Sequence, residues 1–128
     1  MTNDHIARLN MREKTSGCKK KSCCKNSELQ LNLLINKVKS WHRDRNLING
    51  STDKDQTLKL AQELGELSDN VCKGQDIRDD IGDMLVVMIN IAERNDLTIS
   101  ECLQQAWNDI KDRKGRMVDG IFVKESEA

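Results

Sequence analysis

From Ser27 onward, apolar side chains recur every three or four residues, which is the spacing of a helix face and not the alternation of a strand. The first such segment, SELQLNLLINKVKSWHRDRN, sets Leu31, Leu34, Ile35, Val38 and Trp41 on one side and runs into the Asn-Gly turn of INGST. A second begins in TDKDQ, where Thr52 or Asp53 can cap it. It keeps Leu60, Leu64, Leu67 and Val71 in one stripe and stops at Gly74. A third runs from about Asp76 to Asn95. The fourth opens with TISE, a capping box of Thr98 and Glu101, and continues through Leu103, Ala106, Trp107 and Ile110. After Gly115, RMVDGIFVKE predicts an extended or turn-like tail around one Asp-Gly pair. The pattern predicts an all-α protein, a four-helix bundle-like fold.

Before Ser27 this periodicity is absent. Residues 1–26 are polar and basic and read as a flexible Cys-containing tail, leaving 27–128 as the folded domain. Cys18, Cys23 and Cys24 lie there in GCKKKSCCKNS. Zinc is the weaker reading, because paired C-x2-C spacing is missing and only His5 could complete a ligand set. A redox or intermolecular role is a third. Cys72 and Cys102 fall inside helical patterns and are expected to be small buried hydrophobes; His42 is expected at the surface.

Composition narrows the class further. The chain has 128 residues, no proline and 33% charged residues, which favours helices over sheets. Lys plus Arg equals Asp plus Glu at 21 each, so no overall field argues for nucleic acid or an acidic membrane. The stretch Met84 to Ala92 is interrupted by Asn90 and is too short to span a bilayer. The polar N-terminus argues against a secretory signal, so a soluble cytoplasmic protein is expected. Leu85, Val86, Val87, Ile89 and Ile91 make the third helix apolar on most sides of its second half. A helix of that kind must be buried all round, which predicts a homodimer or a dimer of dimers.

Chemistry enters with a tetrad written twice, ELGE at Glu63–Glu66 and DIGD at Asp80–Asp83. At about 100° per residue, with Leu60 at zero, Glu63 falls near 300° and Glu66 near 240°. With Ile77 at zero, Asp80 and Asp83 take the same two angles. Each helix thus carries a pair of carboxylates on one flank of its apolar stripe. Packed antiparallel through KGQD, the two flanks can meet. Four converging carboxylates need a cation or a proton, and an oxygen-only ligand set suits Mg²⁺ or Mn²⁺. Magnesium takes phosphate oxygens as remaining ligands and activates water, so the implied substrate is a phosphate ester or anhydride. The same acids also read as ordinary solvated helix faces. Gly65 and Gly82, near 140°, are expected to be notches where another helix backbone approaches closely.

At these residues the chain resembles the MazG-like nucleoside triphosphate pyrophosphohydrolases of the all-α NTP pyrophosphatase superfamily, whose hallmark is EExxE followed by ExxD. QELGE stands at Gln62–Glu66 and DIGD at Asp80–Asp83. WHRDRNLINGSTDKDQTLKLAQELGEL, IRDDIGDMLVVMINIAERN and IKDRKGRMVDGIFVKE extend the likeness to short phage and Gram-positive MazG-like proteins, over about residues 27–126. The resemblance implies Mg²⁺-dependent cleavage of a (deoxy)nucleoside triphosphate between the α and β phosphates. Glu63, Glu66, Asp80 and Asp83 would be the metal-binding, catalytic carboxylates. Two departures stand out: Gln62 replaces the first Glu, and Asp80 is one methylene shorter than the usual Glu. Asp79 stands beside it as partial compensation.

The resemblance also marks substrate contacts, each beside a structural alternative. Lys59 is placed to hold phosphate or to pair with Glu63 at i,i+4. Trp41 is placed to stack on a base or to fill the core, with Arg45 and Asn46 bordering the nucleotide. Lys111, Arg113, Lys114 and Arg116 suit phosphate or simply the end of a helix. Asn90 is placed to orient a ligand or to satisfy a neighbouring helix. Rival functions are a catalytically weakened nucleotide-binding or regulatory module, or a hydrolase specific for dUTP, dCTP, phosphoribosyl-ATP or an alarmone.

Overall fold

A computed structural model describes the backbone of residues 20–126 and the side chains of residues 26–126. Cys18, His5 and most of the expected tail lie outside the described residues. Four helices follow in order: α1 (Lys20–Asp44), α2 (Asp53–Lys73), α3 (Arg78–Arg94) and α4 (Ile99–Ile110). Strands β1 (Gly115–Val118) and β2 (Ile121–Lys124) close the chain. The protein is mostly helical, as the pattern predicts. The α1 helix begins at Lys20, inside the stretch read as tail. The chain divides into two units within α1, residues 1–34 and 35–128.

The helix ends follow their sequence signals closely. Thr52 caps α2, its hydroxyl accepting from Asp55 N–H while the Asp55 carboxylate accepts from Thr52 N–H. Gly74 ends α2 in the left-handed region at φ 66°, where a side chain would be strained. Thr98 and Glu101 form the same reciprocal box at the start of α4. The connection after α1 works differently from the reading of INGST. Asn46, at φ 57°, supplies the left-handed residue. Gly50 is needed instead for space, since a Cβ there would lie 2.5 Å from the Asn46 carbonyl oxygen.

Helices α2 and α3 pack against each other, and polar contacts at both ends fix them antiparallel. At one end Asn70 of α2 meets Asp80 of α3. At the other, Arg94 Nε donates to Asp53 Oδ1 at 2.8 Å, and Asn95 Nδ2 donates to Asp53 Oδ2 at 3.1 Å. Among the described residues, Val87, Ile89 and Ala92 of α3 form the buried apolar core, and His42 and Asn90 are buried as well.

Several expectations are corrected here. The stripes are not covered within one chain: Leu64 is 52% exposed, Val71 55% and Trp107 55%. A single neighbouring helix shields only part of a stripe, and α4 leaves Leu103, Trp107 and Ile110 exposed. In the second half of α3, Leu85 and Met88 are exposed within the single chain. Among the described residues of the chain, no helix approaches Gly65 or Gly82 closely, since a Cβ at either would meet nothing within 4 Å. Cys72 and Cys102 are exposed thiols rather than buried hydrophobes, and His42 is buried rather than superficial. The C-terminal segment is an antiparallel hairpin pairing Val118 with Ile121. Its turn residues Asp119 and Gly120 both have positive φ, the geometry that favours Asp-Gly in two-residue hairpin loops.

Candidate metal and phosphate site on the paired helices

The flank predicted on α2 faces the N-terminal half of α3. Glu63 and Asp80, both carboxylates, are buried to 4% and 7% exposure, while Glu66 is exposed and Asp83 half-buried. Burying a charged group is costly unless it is paired, and each buried acid has a donor. Lys59 Nζ lies 2.5 Å from Glu63 Oε1, the i,i+4 pair expected of that spacing. Asn70 Nδ2 donates to Asp80 Oδ1 at 2.9 Å and to Oδ2 at 3.0 Å. Lys59 also lies 3.4 Å from Gln62 Oε1, so Gln62 shares its ammonium where an acid was expected.

Burial, and then the negative charges of Asp79, Glu63 and Asp80, push the Asp83 carboxyl above its ordinary value, with Lys59 opposing. Its hydrogen bond to Glu63, reinforced by the fields of Glu63, Glu66 and Asp83, holds the Lys59 ammonium above its ordinary value. Carboxylate oxygens are the ligands that a hard divalent cation takes, and the negative charge gathered around Asp83 favours one. The donor set therefore fits a hard cation in chemistry. Its members are not drawn together into a closed site: among the described residues no three His, Cys, Asp or Glu side chains are grouped to hold a metal ion. Lys59 and Asn70 hold two of the carboxylates instead.

The remaining predicted residues fall into three places. Trp41 is 44% exposed, and the Arg45 guanidinium carbon sits 4.4 Å from its ring centroid, a cation–π contact. Asn90 is fully buried. Its Nδ2 donates to the Leu47 carbonyl at 3.2 Å, fixing the loop after α1 against α3, while its Oδ1 has no hydrogen-bond partner among the described residues. Nearby, His42 Nδ1 and Glu93 Oε2 also lack partners. Burial lowers the His42 pKa, with the Glu93 charge opposing, and Arg43 pairs with Glu93. Arg113 and Lys114 line a separate depression with Asp109, Asp112, Lys124 and Glu125, and none of the paired carboxylates borders it. Lys111 is exposed beside it, at the end of α4.

Asn70 is the residue that sequence reasoning missed. Its signal was present: it falls at roughly 280° on α2, between Glu66 and Glu63 on the acidic flank. A search confined to ionisable groups passes over an amide.

Comparison with known proteins adds little to this geometry. No protein-family profile matches the chain, and no solved structure matches it. It is similar to an uncharacterised 18.2 kDa protein from the rep-hol intergenic region of Haemophilus phage HP1, at 43% identity over 67 residues. That match covers 51% of this chain and 41% of the phage protein, so the chain spans less than half of its relative. No described helix is long and apolar enough to cross a membrane.

Proposed function

We propose that the chain is a Mg²⁺-dependent nucleoside triphosphate pyrophosphohydrolase of the MazG-like type, releasing a nucleoside monophosphate and pyrophosphate. The observation that carries this reading is the burial of two carboxylates, Glu63 on α2 and Asp80 on α3, with Glu66 and Asp83 one turn further along the same helices. Mg²⁺ held there would offset triphosphate charge and lower the pKa of an attacking water. The protein's own part is positioning. Glu63 is held by Lys59, and Asp80 by Asn70. Lys59, whose side chain is 47% exposed, is free to turn from Glu63 to a phosphate oxygen once a cation neutralises that carboxylate. The exposed Leu64, Ile81, Leu85, Met88 and Trp107 support assembly as a homodimer or homotetramer.

The test is pyrophosphate release from a panel of ribo- and deoxynucleoside triphosphates with Mg²⁺. Glu66→Ala and Asp83→Ala should each lower kcat by about 100-fold or more, the scale expected when a group that aligns or stabilises charge is lost. A second reading rests on Gln62, which can neither accept a proton as a base nor add charge. In that reading the same site binds nucleotide without turning it over. Mg²⁺-dependent nucleotide binding with no pyrophosphate released from any substrate would select it.

A further inference from the structure

Asn70 lies one turn beyond Glu66, on the carboxylate flank of α2. Its Nδ2 stands 2.9 Å from one oxygen of Asp80 and 3.0 Å from the other. Near-equal distances put the amide astride the carboxylate, along the approach that a cation binding both oxygens would take. A carboxylate offers about four lone-pair sites. Those facing Asn70 are engaged, and the outer ones remain. Asp80 is 7% exposed and pairs with no Lys or Arg among the described residues, so this amide is the contact that orients it. Lys59 is a different kind of partner: long, half-exposed and charged, it can swing away from Glu63. Asn70 is short, half-buried and neutral, and it stays.

The geometry points to Asn70 as the positioning residue that sets how Asp80 meets a divalent cation, through one outer oxygen while the inner edge is held by α2. This rests on the metal-site reading above. It also accounts for the shorter acid at this position: an extra methylene would carry the carboxylate past the amide that holds it.

The test is Mn²⁺ binding to the full chain, without nucleotide, by titration calorimetry. Four proteins are compared: wild type, Asn70→Ala, Asp80→Asn and the double variant, with circular dichroism confirming that each is folded. Loss of a partner behind a metal ligand typically weakens binding by about 10–100-fold. Asn70→Ala should therefore weaken Mn²⁺ binding by about tenfold when Asp80 is present. In the Asp80→Asn background it should change affinity by less than about twofold, because an indirect effect disappears with the group it acts through. A merely structural role would weaken both backgrounds equally. Asn70→Ser, which retains a donor, should recover part of the loss and replaces the alanine variant if that fails to fold. Equal losses in both backgrounds, or no loss at all, overturn the positioning role and leave the metal site standing. A wild-type chain that binds no Mn²⁺ overturns the metal site and this inference together.

Discussion

At the scale of single residues, the acidic flank stores an unfavourable charge arrangement that a cation would relieve. Burial and three neighbouring acids raise the Asp83 pKa. A carboxylate raised in the folded state costs stability once ionised, so metal-free stability should fall as pH rises from the ordinary Asp value through the raised one. Asp83→Asn removes that cost. In EDTA at pH 7 its Tm should exceed that of wild type, and added Mg²⁺ should no longer raise it, whereas wild type should gain stability with Mg²⁺ by mass action. Differential scanning fluorimetry across EDTA and Mg²⁺ measures both. A lower Tm in EDTA would mean that Asp83 is an ordinary surface acid. The positions of Glu63, Glu66, Asp80 and Asp83 were legible because helical spacing alone assigns them a flank. Their partners were only half legible: Lys59 obeys i,i+4, but Asn70 reaches an acid ten residues away on another helix.

At the scale of elements, local signals held best where the physics is local. Both capping boxes and the Gly74 terminus need only a few consecutive residues. The Thr98 N–H, and then its hydroxyl, hold the Glu101 carboxyl below its ordinary value. The stabilisation this implies is complete above the ordinary Glu value and is lost as pH falls through the depressed one. Glu101→Ala should therefore lower Tm at pH 7, and the deficit should narrow toward pH 3 in thermal melts followed by circular dichroism. Thr98→Ala should cost about 1 kcal/mol, as loss of an N-cap commonly does. The helix-interior glycines are not packing notches within the chain, since nothing among the described residues approaches Gly65. Gly65→Ala should then stabilise by about 0.5–1 kcal/mol in urea unfolding. Destabilisation instead would place another chain against that face.

At the scale of the molecule, the buried core is small for the apolar residues available. Val87, Ile89 and Ala92 are covered, while Leu85, Leu103, Trp107 and Ile110 face outward. Large apolar surface left exposed on a monomer commonly marks an interface. Sedimentation velocity at micromolar concentration should show a dimer or tetramer, and Leu85→Asp should shift it toward monomer while helicity is kept. A wild-type monomer at all concentrations would overturn the assembly reading.

Periodicity, caps and turn residues were enough to establish four helices, the antiparallel course of α2 and α3, and a shared acidic flank. These depend on interactions within about one or two turns of chain, which any reader of the sequence can count. Which acids are buried, that Asn70 reaches Asp80, that His42 is inside and Cys72 outside, and that the stripes are left half-covered were decided in three dimensions. Burial depends on which helices happen to be neighbours and how much of a face each can cover, and no spacing along the chain encodes that.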